Sequence, residues 1–249
     1  SAITVTVTAL TKAGDHILVS DNSYGPTRSF LDHVHSHFGV EVEYFDPLKG
    51  ADIATQIRPN TSLIWLESPG SQTFEMTDVP AIVTLAKDKG IATAIDNTWA
   101  AGYFYKPLDH GVDVSVQAAT KYIVGHSDAM LGTITCADTV HAKVRKTAQL
   151  LGVCAGPDDI YLGQRGIRTM GTRLRQHHEN GLKMAAWLQS RPEVKQVMHP
   201  GLPDDPGHEI WKRDFTGACG LFGFVLNPVE RPALAAMMDG LSFFCMGYS

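Results

Sequence analysis

The order of its segments is the feature that most limits what this chain can fold into. Short runs rich in β-branched residues alternate with longer amphipathic stretches, and turn residues separate the two kinds of segment. Such alternation is typical of βαβ units, in which helices connect parallel strands and cover both faces of the sheet. We therefore predict an α/β fold with a mostly parallel sheet flanked by helices. The predicted strands are residues 16–20, 40–45, 63–66, 91–95, 112–116 and 133–136.

The pattern changes in the last third of the chain. A long helical stretch is predicted over residues 159–188, and Gly171 and Gly181 predict breaks or bends in it because glycine weakens a helix interior. A smaller α+β unit follows this stretch. Its predicted elements are strands at 194–198 and 222–226 and a helix at 232–238.

These changes in the pattern of predicted helices and strands indicate the domain organisation. We expect a large domain over residues 1–156, a helical linker over 157–190 and the start of a C-terminal α+β domain over 191–249. The sequence begins inside an apolar segment and stops without a capping pattern. We therefore expect a fragment of a longer protein that lacks both ends.

Composition and charge argue against several classes of function. The chain has 21 basic and 26 acidic residues, a formal charge of -5, so it offers no basic field for nucleic acid or anionic lipid. Its apolar runs, such as residues 221–226, are far shorter than the roughly 20 residues of a membrane span. The four cysteines form no Cys-x-x-Cys pair, which predicts reduced thiols. We expect a soluble, cytoplasmic protein without nucleic-acid or membrane partners.

Four reactive side chains lie just past the ends of predicted strands. They are Tyr24, Glu67, Asp96 and Lys121. Because the carboxyl ends of parallel strands meet at one edge, we expect these side chains to converge in one crevice. A lysine amine forms a Schiff base with an aldehyde cofactor, an aspartate keeps a pyridine nitrogen protonated, and an aromatic ring stacks on the cofactor plane. The set therefore predicts a pyridoxal 5'-phosphate site.

Several motifs carry a resemblance to a known family. Residues 118–128, AATKYIVGHSD, resemble the cofactor-lysine signature of the Cys/Met-metabolism family of pyridoxal-phosphate enzymes. The resemblance extends nearly from end to end, and it implies the fold of type-I pyridoxal-phosphate-dependent transferases, with residues 1–156 as the cofactor-binding domain. The other matching segments are residues 23–26, 66–71, 95–102, 165–170 and 248–249.

The resemblance implies a role for each matching residue. Lys121 would bind the cofactor covalently, Asp96 would pair with the pyridine nitrogen, and Tyr24 would stack on the ring. Thr120 would give a hydroxyl to the phosphate. Ser249 would help to position the lysine and the substrate end of the cofactor, whereas its neighbour Tyr248 is a weaker candidate. In catalysis, Lys121 would remove the Cα proton, and Lys121 or Tyr24 would protonate the leaving sulfur.

This chain also departs from the family pattern. Ala118 stands where many members have a serine that contacts the phosphate. The family's upstream phosphate loop, the tyrosine and arginine that a neighbouring subunit donates, and the downstream arginine for the substrate carboxylate are not found in this sequence. Because family sites are completed by a second subunit, the resemblance implies a homo-oligomer, usually a tetramer with shared active sites.

Within the family, two runs are most similar to the members that cleave cystathionine by β-elimination. These runs are residues 67–70, ESPG, and 96–99, DNTW. The resemblance implies a carbon–sulfur lyase of methionine biosynthesis that forms homocysteine, pyruvate and ammonia. Two alternatives stay open: a γ-eliminating or γ-replacing relative, and a catalytically silent homologue that serves as a binding module.

Other motifs do not predict a site of their own. His33, His35 and His37 are histidines at alternate positions, but a helix places His35 away from the other two, so a solvated helix face is favoured over a metal site. We predict no metal. Trp99 either lines the substrate pocket or packs in the core, and the sequence leaves both roles open.

Overall fold

The computed structural model describes residues 1–244, so Cys245, Tyr248 and Ser249 lie outside the described residues. Helices and strands alternate along most of this length, as the pattern predicts. The helices are α1 (Ala2–Leu10), α2 (Gly25–Phe30), α3 (Val79–Asp88), α4 (Asp138–Leu150), α5 (Pro157–Gln189), α6 (His208–Asp214) and α7 (Arg231–Asp239). The strands are β1 (His16–Ser20), β2 (Glu41–Phe45), β3 (Thr61–Glu67), β4 (Ala92–Asp96), β5 (Val114–Gln117), β6 (Thr133–Cys136), β7 (Val194–Met198) and β8 (Gly223–Leu226).

The first six strands form one sheet in the order β2-β1-β3-β4-β5-β6. Neighbours among β1 to β5 are parallel, and β6 is antiparallel to β5. The predicted mostly parallel α/β sheet is therefore confirmed. The chain reaches β3 from β2 and β4 from β3 through crossovers, so the carboxyl ends of β1, β3, β4 and β5 lie along one edge.

Helices cover both faces of this sheet because alternate strand residues point to opposite sides. On one face, Leu18, Ile64 and Ile95 belong to a core that includes buried residues of α3 and α5. On the other face, Val19 and Trp65 belong to a core that includes buried residues of α1 and α4. The strands are apolar on both sides, which is expected of a parallel sheet that helices enclose.

Helix α1 is an element that the sequence reasoning did not predict. Its residues, AITVTVTAL, are rich in β-branched side chains, which have a weak helix preference. Val5, Val7 and Leu10 are nevertheless buried against the sheet and α4. Tertiary burial therefore overrides local preference in this segment.

The predicted breaks in the long helix are wrong, since α5 is continuous from residue 157 to residue 189. Its glycines instead allow close packing. A Cβ at Gly171 would lie 3.0 Å from the ring of Tyr103, and one at Gly181 would lie 3.2 Å from the carbonyl oxygen of Cys219. The missing side chains therefore admit neighbouring segments without interrupting the helix.

The last part of the described chain forms a small two-stranded antiparallel sheet of β7 and β8 with helices α6 and α7. The Trp99 Nε1–H donates to the carbonyl oxygen of Leu221 at 2.9 Å. Arg213 on α6 forms an ion pair with Asp78, the residue that caps α3. These contacts attach the smaller unit to the large sheet.

The alternating histidines are only partly on a solvated face. His33 and His37 are exposed, but His35 is buried, with its Nε2 2.8 Å from Thr11 Oγ1, so the solvated prediction is wrong for that residue. Within residues 1–244, no group of three or more His, Cys, Asp or Glu side chains could hold a metal ion. None of the described helices has the length and apolarity needed to cross a bilayer.

Candidate active site

A cavity of about 770 Å³ opens at the carboxyl ends of the parallel strands. Its walls include all of the reactive residues that the sequence places after strands, and Thr120 as well. Tyr24 follows β1, Glu67 ends β3, Asp96 ends β4 and Lys121 follows β5. The structure thus brings together residues that are up to 97 positions apart, as expected from the shared sheet edge. The remaining site candidate, Ser249, lies outside the described residues.

Asp96 is a buried carboxylate, only 8% exposed, at the base of the cavity. Its Oδ1 accepts hydrogen bonds from the Thr98 main-chain N–H at 3.0 Å and from the Thr98 hydroxyl at 2.5 Å. Burial raises the pKa of Asp96, whereas these two bonds lower it. Within residues 1–244, Oδ2 makes no hydrogen bond, so one oxygen of this carboxylate is available to a group in the cavity.

Lys121 and Tyr24 both line the cavity, and the lysine amine lies over the tyrosine ring. The Lys121 Nζ lies 5.3 Å from the centroid of the Tyr24 ring, which is 41% exposed. Within residues 1–244, the amine has no carboxylate oxygen within 4 Å. A lysine without an ion pair inside a cavity is available for covalent chemistry.

Helix α5 packs against the segment that carries Lys121 and holds it in place. The Arg173 guanidinium donates from one nitrogen to the carbonyl oxygens of Tyr122 and Gly166, both at 2.9 Å. A Cβ at Gly166 would lie 2.2 Å from the carbonyl oxygens of Ile123 and Val124. Only glycine therefore allows α5 to approach the lysine segment so closely.

Thr120 has its hydroxyl directed at the main chain of Leu131. The Thr120 Oγ1 accepts from the Leu131 N–H at 2.9 Å and donates to the Leu131 carbonyl oxygen at 3.2 Å. Donation to a phosphate would require this hydroxyl proton to turn away from that carbonyl. Ala118 also lines the cavity and adds no polar group beyond its main chain.

Sequence reasoning missed Thr98, Ser71 and Arg173. The Thr98 hydroxyl accepts from the Ala118 N–H at 2.8 Å, so it links Asp96 to the lysine segment. Ser71 donates to Glu67 at 2.6 Å. Thr98 and Ser71 lie inside the matching segments 95–102 and 66–71, but a single sequence does not show which groups their hydroxyls bond. Arg173 acts on Tyr122, which is 51 positions away, and the sequence carries no signal of that pair.

Trp99 combines the two roles that its sequence left open. The side chain is buried, and its ring makes edge contacts with Phe215 and His199. The same residue also lines the cavity. Its hydrogen bond to Leu221 fixes the ring between the large sheet and the smaller unit.

The donor set of this cavity fits a pyridoxal phosphate. A buried carboxylate with an open oxygen suits a protonated pyridine nitrogen, an amine without an ion pair suits an aldehyde, and an exposed tyrosine ring suits the face of an aromatic cofactor. All three groups face one space that is large enough for a cofactor and an amino acid.

Comparisons with known proteins agree with this assignment. The family model for Cys/Met metabolism PLP-dependent enzymes matches residues 1–249. The cystathionine beta-lyase of Escherichia coli is 48% identical over 252 residues, and the cystathionine gamma-lyase of Bos taurus is 37% identical over 250 residues; both alignments cover the whole chain. The crystal structure of cystathionine gamma-lyase from Lactobacillus plantarum in complex with L-serine superposes with a TM-score of 0.95 at 33% identity.

The chain spans somewhat less than two thirds of these relatives. It covers 64% of the Escherichia coli protein, 62% of the bovine protein and 65% of the Lactobacillus plantarum chain. The family match and the structural match extend over its entire length. This chain belongs to the family of Cys/Met metabolism enzymes that depend on pyridoxal phosphate.

Proposed function

We propose that the protein is a carbon–sulfur lyase that cleaves L-cystathionine by β-elimination to homocysteine, pyruvate and ammonia, a reaction of methionine biosynthesis. The observation that carries the proposal is the convergence of Lys121, Asp96 and Tyr24 in one cavity. The identity of 48% to the Escherichia coli cystathionine beta-lyase supports the choice of substrate and reaction.

Each residue has a distinct task in this proposal. The bound cofactor supplies an aldehyde carbon and an aromatic ring that withdraws electrons from the substrate Cα. Lys121 would hold the aldehyde covalently, and its Nζ would accept the substrate Cα proton. Asp96 would keep the pyridine nitrogen protonated, and Tyr24 would stack on the ring. Thr120 would give a hydroxyl to the phosphate, and Ser249 would help to position the substrate end of the cofactor.

The leaving sulfur needs a proton, because a thiol is a better leaving group than a thiolate. Lys121 and Tyr24 are the two candidates, since both line the cavity and the amine lies 5.3 Å from the ring centroid. A Tyr24→Phe variant separates them. If Tyr24 is the donor, turnover falls while covalent cofactor binding at Lys121 is retained.

A γ-eliminating enzyme is the nearer alternative, supported by the 37% identity to the bovine cystathionine gamma-lyase. Product analysis of the protein expressed from its whole gene distinguishes the two reactions. β-Elimination of cystathionine releases homocysteine and pyruvate, whereas γ-elimination releases cysteine and 2-oxobutyrate. We expect pyruvate and homocysteine in equal amounts, and 2-oxobutyrate as the main keto acid would contradict the proposal.

A catalytically silent binding module is the alternative of another class. Ala118, which replaces a phosphate-contacting serine of the family, is the feature that favours it. This alternative predicts that the protein forms no covalent adduct with pyridoxal phosphate at Lys121. Adduct formation therefore separates the module from either lyase.

The proposal extends to assembly, domains and location. We propose a homotetramer with shared active sites in the cytoplasm, as the resemblance to the family implies. The large domain, helical linker and C-terminal unit keep their predicted limits of 1–156, 157–190 and 191–249. Sedimentation of the purified protein measures the assembly state, and a monomer with full activity would contradict the shared sites.

A further inference from the structure

The cavity contains a second buried carboxyl group, that of Glu67, to which the reaction assigns no task. Glu67 is the last residue of β3 and is paired in register with Asp96, the last residue of β4. Both are 8% exposed. Within residues 1–244, no lysine, arginine or histidine nitrogen lies within 4 Å of Glu67, so this carboxyl group has no ion pair there.

Hydrogen bonds hold both oxygens of Glu67. Oε2 accepts the main-chain N–H of Tyr24 at 2.8 Å, and Oε1 accepts the hydroxyl of Ser71 at 2.6 Å. Ser71 is itself fixed, since its N–H donates to the carbonyl oxygen of Asn22 at 2.8 Å. The carboxyl group therefore joins the segment after β1, which carries the Tyr24 ring, to the segment after β3.

Two adjacent carboxyl groups in a buried site do not both ionise readily. Burial and the charge of Asp96 raise the pKa of Glu67 to about 8. Burial raises the pKa of Asp96 as well, and each carboxyl group accepts two hydrogen bonds, so these bonds do not distinguish the pair. The difference is the cofactor, since a pyridinium beside Asp96 would stabilise its charged form. With a pyridinium paired to Asp96, the neutral member of the pair is Glu67.

We propose that Glu67 is a positioning residue for the cofactor, which in its neutral form fixes the main chain of Tyr24 so that the tyrosine ring faces Lys121, and leaves the negative charge of the pair on Asp96. This inference rests on the proposed pyridoxal-phosphate site. It predicts that retention of the cofactor depends on the hydrogen bonds at position 67 and does not depend on a negative charge there.

Glutamine and alanine at position 67 test the two halves of this statement. In Glu67→Gln the amide oxygen still accepts from Tyr24 and the amide nitrogen donates to Ser71, so cofactor release should stay within about threefold of wild type. Glu67→Ala loses both bonds and should release the cofactor about tenfold or more faster. Ser71→Ala removes one of the two bonds, so its rate of cofactor release should lie between those of Glu67→Gln and Glu67→Ala. Release is followed by the absorbance of the holoenzyme after addition of a trap for free cofactor.

The pH titration of the absorbance of the Lys121-linked cofactor tests the neutral state. A carboxylate at position 67 would favour the protonated chromophore, so its removal would shift the midpoint to lower pH. We expect Glu67→Gln to titrate as wild type does below pH 8. A matched control is Glu75→Gln, since Glu75 lies in the same loop and does not line the cavity, and among the described residues its side chain bonds Thr73 alone.

Two results would overturn the inference alone: wild-type retention of cofactor in Glu67→Ala, or a lower titration midpoint in Glu67→Gln. Far-ultraviolet circular dichroism verifies that each variant is folded, and the glutamine variant carries the test if the alanine variant is not. A wild-type protein that binds no pyridoxal phosphate would overturn the proposed function as well. The two failures are therefore distinguishable.

Discussion

Thr98 shows at the scale of single residues how the site depends on an uncharged side chain. Its hydroxyl connects the Asp96 carboxylate with the N–H of Ala118, two residues before Thr120. Thr98→Val removes these bonds at nearly constant volume. We expect cofactor binding to weaken about 10- to 100-fold, because a hydrogen bond to a charged group contributes about 1.5–3 kcal/mol.

The same substitution has a pH dependence. The hydroxyl bond from Thr98 lowers the pKa of Asp96 against the effect of burial, so its loss allows Asp96 to take up a proton at higher pH, whereas the main-chain bond from residue 98 is kept. The binding defect should be largest at low pH and shrink as the pH rises. Equilibrium titration with pyridoxal phosphate between pH 6 and pH 9 measures it, with the exposed Thr84→Val on α3 as control. A defect equal at every pH would be inconsistent with this role.

The residues that would contact the cofactor were predictable from the sequence, whereas the side chains that hold them in place by hydrogen bonds were not. Lys121 and Asp96 follow strands and stand in distinctive motifs, so both the crevice and the cofactor could be inferred. The Thr98 hydroxyl matters through Ala118, which folding brings close, and the Ser71 hydroxyl matters through Glu67, four residues earlier, and neither bond can be read from the sequence. Ser249 remains a prediction because it lies outside the described residues.

At the scale of elements, helix α5 determines where the lysine segment lies. Gly166 has no room for a Cβ, which would lie 2.2 Å from two carbonyl oxygens of that segment. Gly166→Ala should therefore displace the lysine segment, lower the free energy of unfolding by about 1–3 kcal/mol and reduce adduct formation at Lys121. Thermal unfolding and the extent of cofactor labelling measure these effects.

Gly163→Ala on the same helix is the control. A Cβ there would meet only the end of the Leu131 side chain, at 2.8 Å, and this side chain can move. We expect little loss of labelling. If both variants label equally well, the close approach of α5 does not position Lys121.

Periodicity predicted most elements to within a few residues, and the exceptions have a common cause. The strands at 16–20, 133–136 and 194–198 coincide with β1, β6 and β7. Helix α1 was missed because its β-branched residues favour strands, and the breaks in α5 were predicted because glycine usually weakens helices. In both cases contacts with distant segments outweigh the local preference.

At the scale of the whole molecule, His199 lies between the large sheet and the smaller unit. It is fully buried, contacts Trp99 and Phe222, and accepts the N–H of Gly201 at Nδ1. Burial lowers the pKa of His199 to about 4. In the unfolded chain, His199 therefore takes up a proton below its ordinary pKa of about 6.5. In the folded chain, it stays neutral until the pH approaches about 4.

This difference makes the stability of the protein depend on pH. The free energy of unfolding should fall as the pH decreases from about 6.5 to 4, by up to about 3 kcal/mol from this group. In His199→Asn, whose amide oxygen can replace Nδ1 as acceptor, the slope over this range should be smaller. Denaturant unfolding at several pH values tests it, with the exposed His141→Asn as control. An unchanged slope in His199→Asn would exclude His199 as the acid-sensitive group.

The overall α/β architecture followed from the alternation of segments, but the domain limits stay a prediction. Phe215, Ala218 and Cys219 come from the proposed C-terminal unit and pack in the same core as Leu18 and Ile95 of the large sheet. Such long-range packing leaves no trace in composition or periodicity. The location of a boundary near residue 157 or 190 is therefore a question for limited proteolysis.

Covalent binding of pyridoxal phosphate to Lys121 is the central claim, and borohydride reduction with peptide mass mapping tests it most directly. Reduction converts the link between lysine and cofactor into a stable pyridoxyl amine. We expect a pyridoxyl mass on the peptide that contains Lys121, and its loss in Lys121→Ala. A protein that stays unlabelled with excess pyridoxal phosphate, or is labelled at another lysine, would contradict the account.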